Sequence, residues 1–125
     1  MPVMLDHFRN ATETKSFAAD EIVFEVGSTE RHMYAVRDGD IEIYFNEILV
    51  ETVGPGGFVG EKSLIDGQPH TTTAIAKTAV SVAVVDETKF LFLIHETPLF
   101  ALQVMRVQAQ RIRRLMQIAM GTPQT

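Results

Sequence analysis

The chain has 125 residues, 46% of them hydrophobic and 22% charged, the balance of an ordinary globule with room for one core and not two. A net charge of −5 argues against a nucleic-acid binder held by a positive field, and the absence of cysteine excludes disulfides and thiolate metal sites. No run approaches the roughly 18 apolar residues of a membrane span. Met1 to Asp6 also lacks the basic-then-apolar layout of a signal peptide, so a cytoplasmic location without membrane contact is expected.

Residues 3–13 are mixed, with Leu5 and Phe8 spaced for one face of a brief helix. From Glu21 the period becomes two: Ile22, Phe24 and Val26 alternate with Glu21, Val23 and Glu25, which predicts a half-buried strand ended by Gly27-Ser28. Met33 to Val36 is a second apolar run. Asp38-Gly39 marks a tight turn, and Ile41, Ile43 and Phe45 alternate beyond it, a hairpin signal. Ile48 to Val53 predicts another strand, interrupted by Gly54-Pro55-Gly56-Gly57. Thr72 to Ala76 and Val80 to Val85 supply two more. Many short strands at close spacing predict an antiparallel architecture rather than a parallel sheet with crossover helices.

The end of the chain changes character. Asp86 is placed to cap a short helix reaching about His95, and Thr97-Pro98 reads as an N-cap followed by proline at the first helical position. A long helix then runs to Met120, with Gly121 as its stop. Leu102, Met105, Ala109, Ile112, Met116 and Ala119 recur at spacings of three and four, a seam of the coiled-coil kind. Val104, Val107, Leu115 and Ile118 widen the apolar surface beyond one stripe. Two uses of the seam stay open: packing on the chain's own barrel, or pairing with a second copy in a homodimer. Arg106, Arg111, Arg113 and Arg114 fall largely beside it, where their stems cover apolar surface and their heads pair with carboxylates.

The block Gly60-Glu61-Lys62-Ser63-Leu64-Ile65-Asp66-Gly67, followed by Gln68-Pro69, resembles the phosphate-binding cassette of the cyclic nucleotide-binding domain family. Tyr34 to Ile43 is similar to that family's tyrosine-valine-glycine stretch, and the likeness runs from about Phe17 to Met120. It implies a mainly β fold with flanking helices: an antiparallel double-sheet jelly roll, cupin-like, with a short cassette helix and a long C-terminal helix. One domain is expected over 1–125, with the barrel at about 17–85 and the C-terminal helices at about 87–120. It further implies a ligand site in the cassette at 57–73, formed by Gly60, Glu61, Lys62, Ser63, His70, Thr71 and Thr72. Glu61 would take the ribose hydroxyl, and a helix opening there would aim backbone N–H groups at a cyclic phosphate. The ligand would be cAMP, cGMP or another small anion.

The chain departs from the pattern where the family keeps a phosphate-gripping arginine, because that position holds His70. Losing a permanent, forked cation removes roughly 2–5 kcal/mol, or about 30-fold to several-thousand-fold in affinity. Lys62 and Thr71 to Thr73 are the local candidates to compensate.

Three classes of function compete. The first is a non-enzymatic sensor signalling through the terminal helix. The second is a degenerate domain that keeps barrel and dimer, binds no nucleotide and serves as an interaction module. An enzyme is third: the four histidines His7, His32, His70 and His95 form no His-x-His pair, and no nucleophile elbow or phosphate-loop lysine stands out. No cofactor, metal or catalytic residue is therefore expected. Because the chain stops at Thr125, no helix-turn-helix and no nucleic-acid partner are expected either.

Overall fold

The computed structural model describes residues 13–121. They form β1 (Thr14–Phe17), β2 (Ile22–Phe24), β3 (Met33–Asp38), β4 (Ile41–Phe45), β5 (Ile48–Val53) and β6 (Phe58–Val59). Helix α1 (Glu61–Asp66) follows, then β7 (Thr73–Ala76), β8 (Val80–Val85), α2 (Glu87–Glu96) and α3 (Pro98–Ala119). The brief helix expected over 3–13 falls almost wholly outside the described residues. Two antiparallel four-stranded sheets result, in the orders β1-β8-β3-β6 and β2-β7-β4-β5. This is the antiparallel architecture expected from the strand spacing and the double-sheet jelly roll implied by the family resemblance, flanked by the cassette helix and the long C-terminal helix.

Burial in β3 explains the layering. Met33, Tyr34, Ala35 and Val36 are all buried in succession, which a strand with one wet face does not allow. Tyr34 and Val36 face the other sheet, packing with Phe17, Ile41, Val53 and Val82. Met33 and Ala35 face the helices, in a second cluster with Phe58, Ala83, Val85, Phe90, Phe100 and Val104. Ala35 lies directly across from Ala83 in the ladder, so two small side chains leave space on that face for aromatic rings. Phe90 and Phe100 fill it edge to face, 5.8 Å apart. Each buried ring contributes about 1.5–3 kcal/mol and fastens the helices to the β1-β8-β3-β6 sheet.

Three expectations need correction. The alternation in β2 fails, since Val23 and Phe24 are both buried while Ile22 and Val26 are 46% and 56% exposed. The register with β7 shifts between Ile22 and Phe24, and that irregularity re-aims the side chains. Strand β1 starts earlier than the expected barrel boundary near residue 17. Thr97 sits at the start of α3 but its side chain makes no capping bond there; its N–H instead closes α2 by donating to the Leu93 carbonyl. Asp86 caps as expected, accepting from the Lys89 N–H at 2.8 Å.

Helices α2 and α3 meet at a bend of 114°. The bend follows from Pro98, which cannot continue α2, and it carries α3 back across the mouth between the sheets. On α3, Val104 is buried, and Leu115 and Ile118 pack against the inter-sheet core. Leu102, Met105, Ala109, Ile112, Met116 and Ala119 are all exposed. The two apolar sets therefore part company: the second covers the barrel, and the seam faces outward except at Ile112, which also borders the space beneath α3. Among the described residues no single helix is long and apolar enough to cross a membrane.

Candidate ligand-binding site

A hollow of about 120 Å³ opens between the β2-β7-β4-β5 sheet, the cassette and α3. Its apolar wall is Phe24, Ile43, Val50 and Leu115, and its polar wall is Gly60, Glu61, Lys62, His70, Thr71 and Thr72. Six of the seven residues expected at the site thus share one cavity. The seventh, Ser63, is buried beneath the helix, where its Oγ–H donates to the Gly60 carbonyl at 2.9 Å.

Gly60 makes the cassette turn. Its φ of +84° is left-handed, and a side chain there would press on the His32 carbonyl, 2.6 Å from the built Cβ position. No side chain caps the first turn of α1. Gly67 ends the helix in the same left-handed conformation, donating to the Ser63 carbonyl.

Glu61 is only 3% exposed, and α3 supplies its partners. Arg111 Nη1 donates to Oε1 at 2.8 Å, and the Gln108 amide donates to Oε2. Arg111 reaches further: Nε donates to Glu51 Oε1 at 2.9 Å and Nη2 to the Phe58 carbonyl at 2.6 Å. Burial alone would push its pKa down, but Glu61 and Glu51 more than offset this and hold it above the ordinary value. The guanidinium ties three elements together: α3, β5 and the β6–α1 junction.

Sequence reasoning missed Arg111 and Gln108 as site residues. Gln108, Arg111, Ile112 and Leu115 follow i, i+3, i+4, i+7 spacing, so one face of α3 lines the hollow. That spacing was visible in the chain, but nothing local said it would meet a carboxylate 50 residues away.

His70 is 6% exposed. Its backbone is pinned on both sides, since His70 N–H donates to Ser28 O at 3.0 Å and Gly27 N–H to His70 O at 2.8 Å. Its ring stacks on Phe24, with centroids 4.1 Å apart, and Nε2 lies 2.9 Å from the Glu30 carbonyl oxygen. Burial pushes its pKa below the ordinary value, against the upward pull of Glu30 and Glu61. Lys62 lines the hollow, but its Nζ is paired with Asp66 at 2.7 Å. That bond holds the Asp66 carboxyl below its usual range. Among the described residues no three His, Asp or Glu side chains converge as a metal site.

Residues 14–97 match the family model of the cyclic nucleotide-binding domain. The chain is similar to a cAMP-dependent protein kinase regulatory subunit of Candida albicans, 30% identical over 64% of this chain and 17% of that one. It is also similar to a cyclic nucleotide-gated potassium channel of Mesorhizobium japonicum, 27% identical over 78% of this chain and 27% of the channel. It therefore spans under a third of the length of either relative. The catabolite activator protein of Thermus thermophilus shares the fold, with a TM-score of 0.75 at 22% identity, over 91% of this chain and 54% of that one. With the matched stretch running from β1 to the end of α2 and the cassette inside it, the chain belongs to the cyclic nucleotide-binding domain family.

Proposed function

We propose that this chain is a non-enzymatic regulatory module that takes a cyclic nucleotide into the hollow and reports its presence through α3. The observation that carries this reading is the double link from α3 to Glu61, through Arg111 and Gln108. In the family resemblance Glu61 takes the ribose hydroxyl. A ligand arriving there must share or displace the bonds that hold α3, and so has different contacts with the docked and undocked helix. Such a difference is the physical requirement for a ligand to shift a conformational equilibrium. The outward seam of α3 fits a second copy of the chain, which would make the signal one between subunits.

A second reading has its own support: the polar side chains of the site are already partnered within the chain. His70 is committed to Phe24 and Glu30, and Glu61 to Arg111 and Gln108. A domain so satisfied serves as a binding module for protein partners without a nucleotide. A thermal-shift titration with cAMP and cGMP separates the two, because ligand that binds only the native state raises its stability. Ligand at about a hundredfold over Kd adds about 2.7 kcal/mol, a shift of several degrees. No shift at millimolar concentration of either nucleotide, in the wild type or in His70→Arg, leaves the interaction module as the function.

A further inference from the structure

The hydrogen-bond partner of His70 fixes where its proton sits. A carbonyl oxygen can only accept, so the Nε2 facing Glu30 O carries hydrogen whatever the charge of the ring. His70 lines the hollow, and in the neutral imidazole its other nitrogen, Nδ1, is a bare lone pair that can only accept, which offers nothing to an anion. Protonation reverses that: Nδ1–H becomes a donor on a cation.

The charges around the ring come from every side of the hollow. Helix α1 contributes Glu61 and Lys62, the loop before β3 contributes Glu30 and His32, β5 contributes Glu51 and α3 contributes Arg111; Phe24 from β2 is apolar. Glu30 and Glu61 favour the protonated ring, while burial and Lys62 disfavour it. The charged groups lining the cavity are Glu51, Glu61, Lys62 and Arg111; Arg111 is bonded to both carboxylates and Lys62 to Asp66, so with His70 neutral the lining has no cation to spare. A phosphodiester brings one fixed negative charge that nothing in the lining balances. One proton would balance it, and Nδ1 is the place for it.

We propose that His70 makes ligand capture proton-coupled: entry of the nucleotide's phosphate draws one proton onto Nδ1, and affinity rises as pH falls. This rests on the cyclic-nucleotide reading above. The sign follows from linkage. Burial holds the free-state pKa below the ordinary imidazole value, and an anion beside the ring raises it in the complex. Between those two values the complex holds more protons than its components, so Kd falls by up to about tenfold for each unit of pH lowered. Below the free-state value the dependence levels off.

The experiment is calorimetric titration of the whole chain with cAMP between about pH 5.5 and 8.5, in buffers of different ionisation enthalpy that report proton uptake directly. The expected result is progressive tightening with acid and uptake approaching one proton per nucleotide. His70→Arg should bind tightly without pH dependence, and His70→Gln weakly without it. His32→Gln, which removes the other imidazole near Glu30, should keep the slope. Wild-type binding with constant Kd and no net proton uptake overturns the coupling while leaving nucleotide capture intact. A slope retained in His70→Gln overturns it as well. Failure of both wild type and His70→Arg to bind at any pH overturns the nucleotide reading itself, and the coupling with it. Should the variants not fold, the wild-type proton count decides alone.

Discussion

At the scale of single residues, the Glu61–Arg111 pair holds the most electrostatic risk. Both groups are largely out of water, with side chains 3% and 12% exposed. The pair is asymmetric: without Glu61 the guanidinium still has Glu51 and the Phe58 carbonyl, whereas without Arg111 the Glu61 carboxylate is a buried charge left with only the Gln108 amide. Arg111→Met should therefore cost about 3–5 kcal/mol, read by denaturant unfolding at neutral pH. Glu61→Gln combined with Arg111→Met should recover most of that loss, because the uncompensated carboxylate is then gone. A loss near 1 kcal/mol for the single change would place the pair with exposed salt bridges, which contribute about that or less. Lys62–Asp66 is the internal contrast. Its side chains are 45% and 37% exposed, and breaking it should matter little although its N–O distance is the shorter of the two.

At the scale of elements, the start of α1 depends on one backbone conformation. Gly27 and Gly60 share nearly the same left-handed φ, +88° and +84°. Around Gly27 a Cβ would meet nothing within 4 Å, whereas at Gly60 it would meet the His32 carbonyl at 2.6 Å. Gly27→Ala should thus lose only the left-handed penalty, about 1–2 kcal/mol. Gly60→Ala should lose that and the clash together, and any nucleotide-induced thermal shift with it. Equal losses at the two positions would mean that the loop carrying His32 yields freely and does not brace the cassette. This element was readable from sequence because its signals are local: two left-handed glycines bracket six helical residues, and the hairpins around it alternate within single strands. Strand β2 was misread for the opposite reason. Its phase is set by a register shift against β7, some 50 residues on, and no pattern inside Ile22 to Phe24 encodes that. The sequence places Arg111 beside the seam with its head available to a carboxylate, but does not say which carboxylate or how deeply buried. Only the bend at Pro98 turns that flank toward Glu61.

At the scale of the whole molecule, α3 carries two apolar sets, one turned to the barrel and one to the outside, with Ile112 lining both the hollow and the outer groove. Val104, Leu115 and Ile118 bury themselves on the barrel, while Leu102, Met105, Ile112, Met116 and Met120 are between 39% and 72% exposed. A shallow groove along that outer side is lined by Ala109, Ile112, Arg113, Met116, Gln117 and Met120. An uncovered apolar stripe of this length is unusual for a monomer. A parallel pairing of two such seams would bury them, with each helix already held rigid by its own barrel and so spared the nucleation penalty of a short isolated coil. The chain should accordingly sediment as a dimer at tens of micromolar. Met105→Glu with Met116→Glu puts two carboxylates into the seam without touching the hollow, and should give a folded monomer. The informative comparison is nucleotide binding in that monomer. If the seam and the cavity are two faces of one switch, separating the subunits must change nucleotide affinity, by the same factor that nucleotide changes the dimer constant. An affinity identical in monomer and dimer would mean that α3 closes the pocket for its own subunit alone, and that no message crosses the seam.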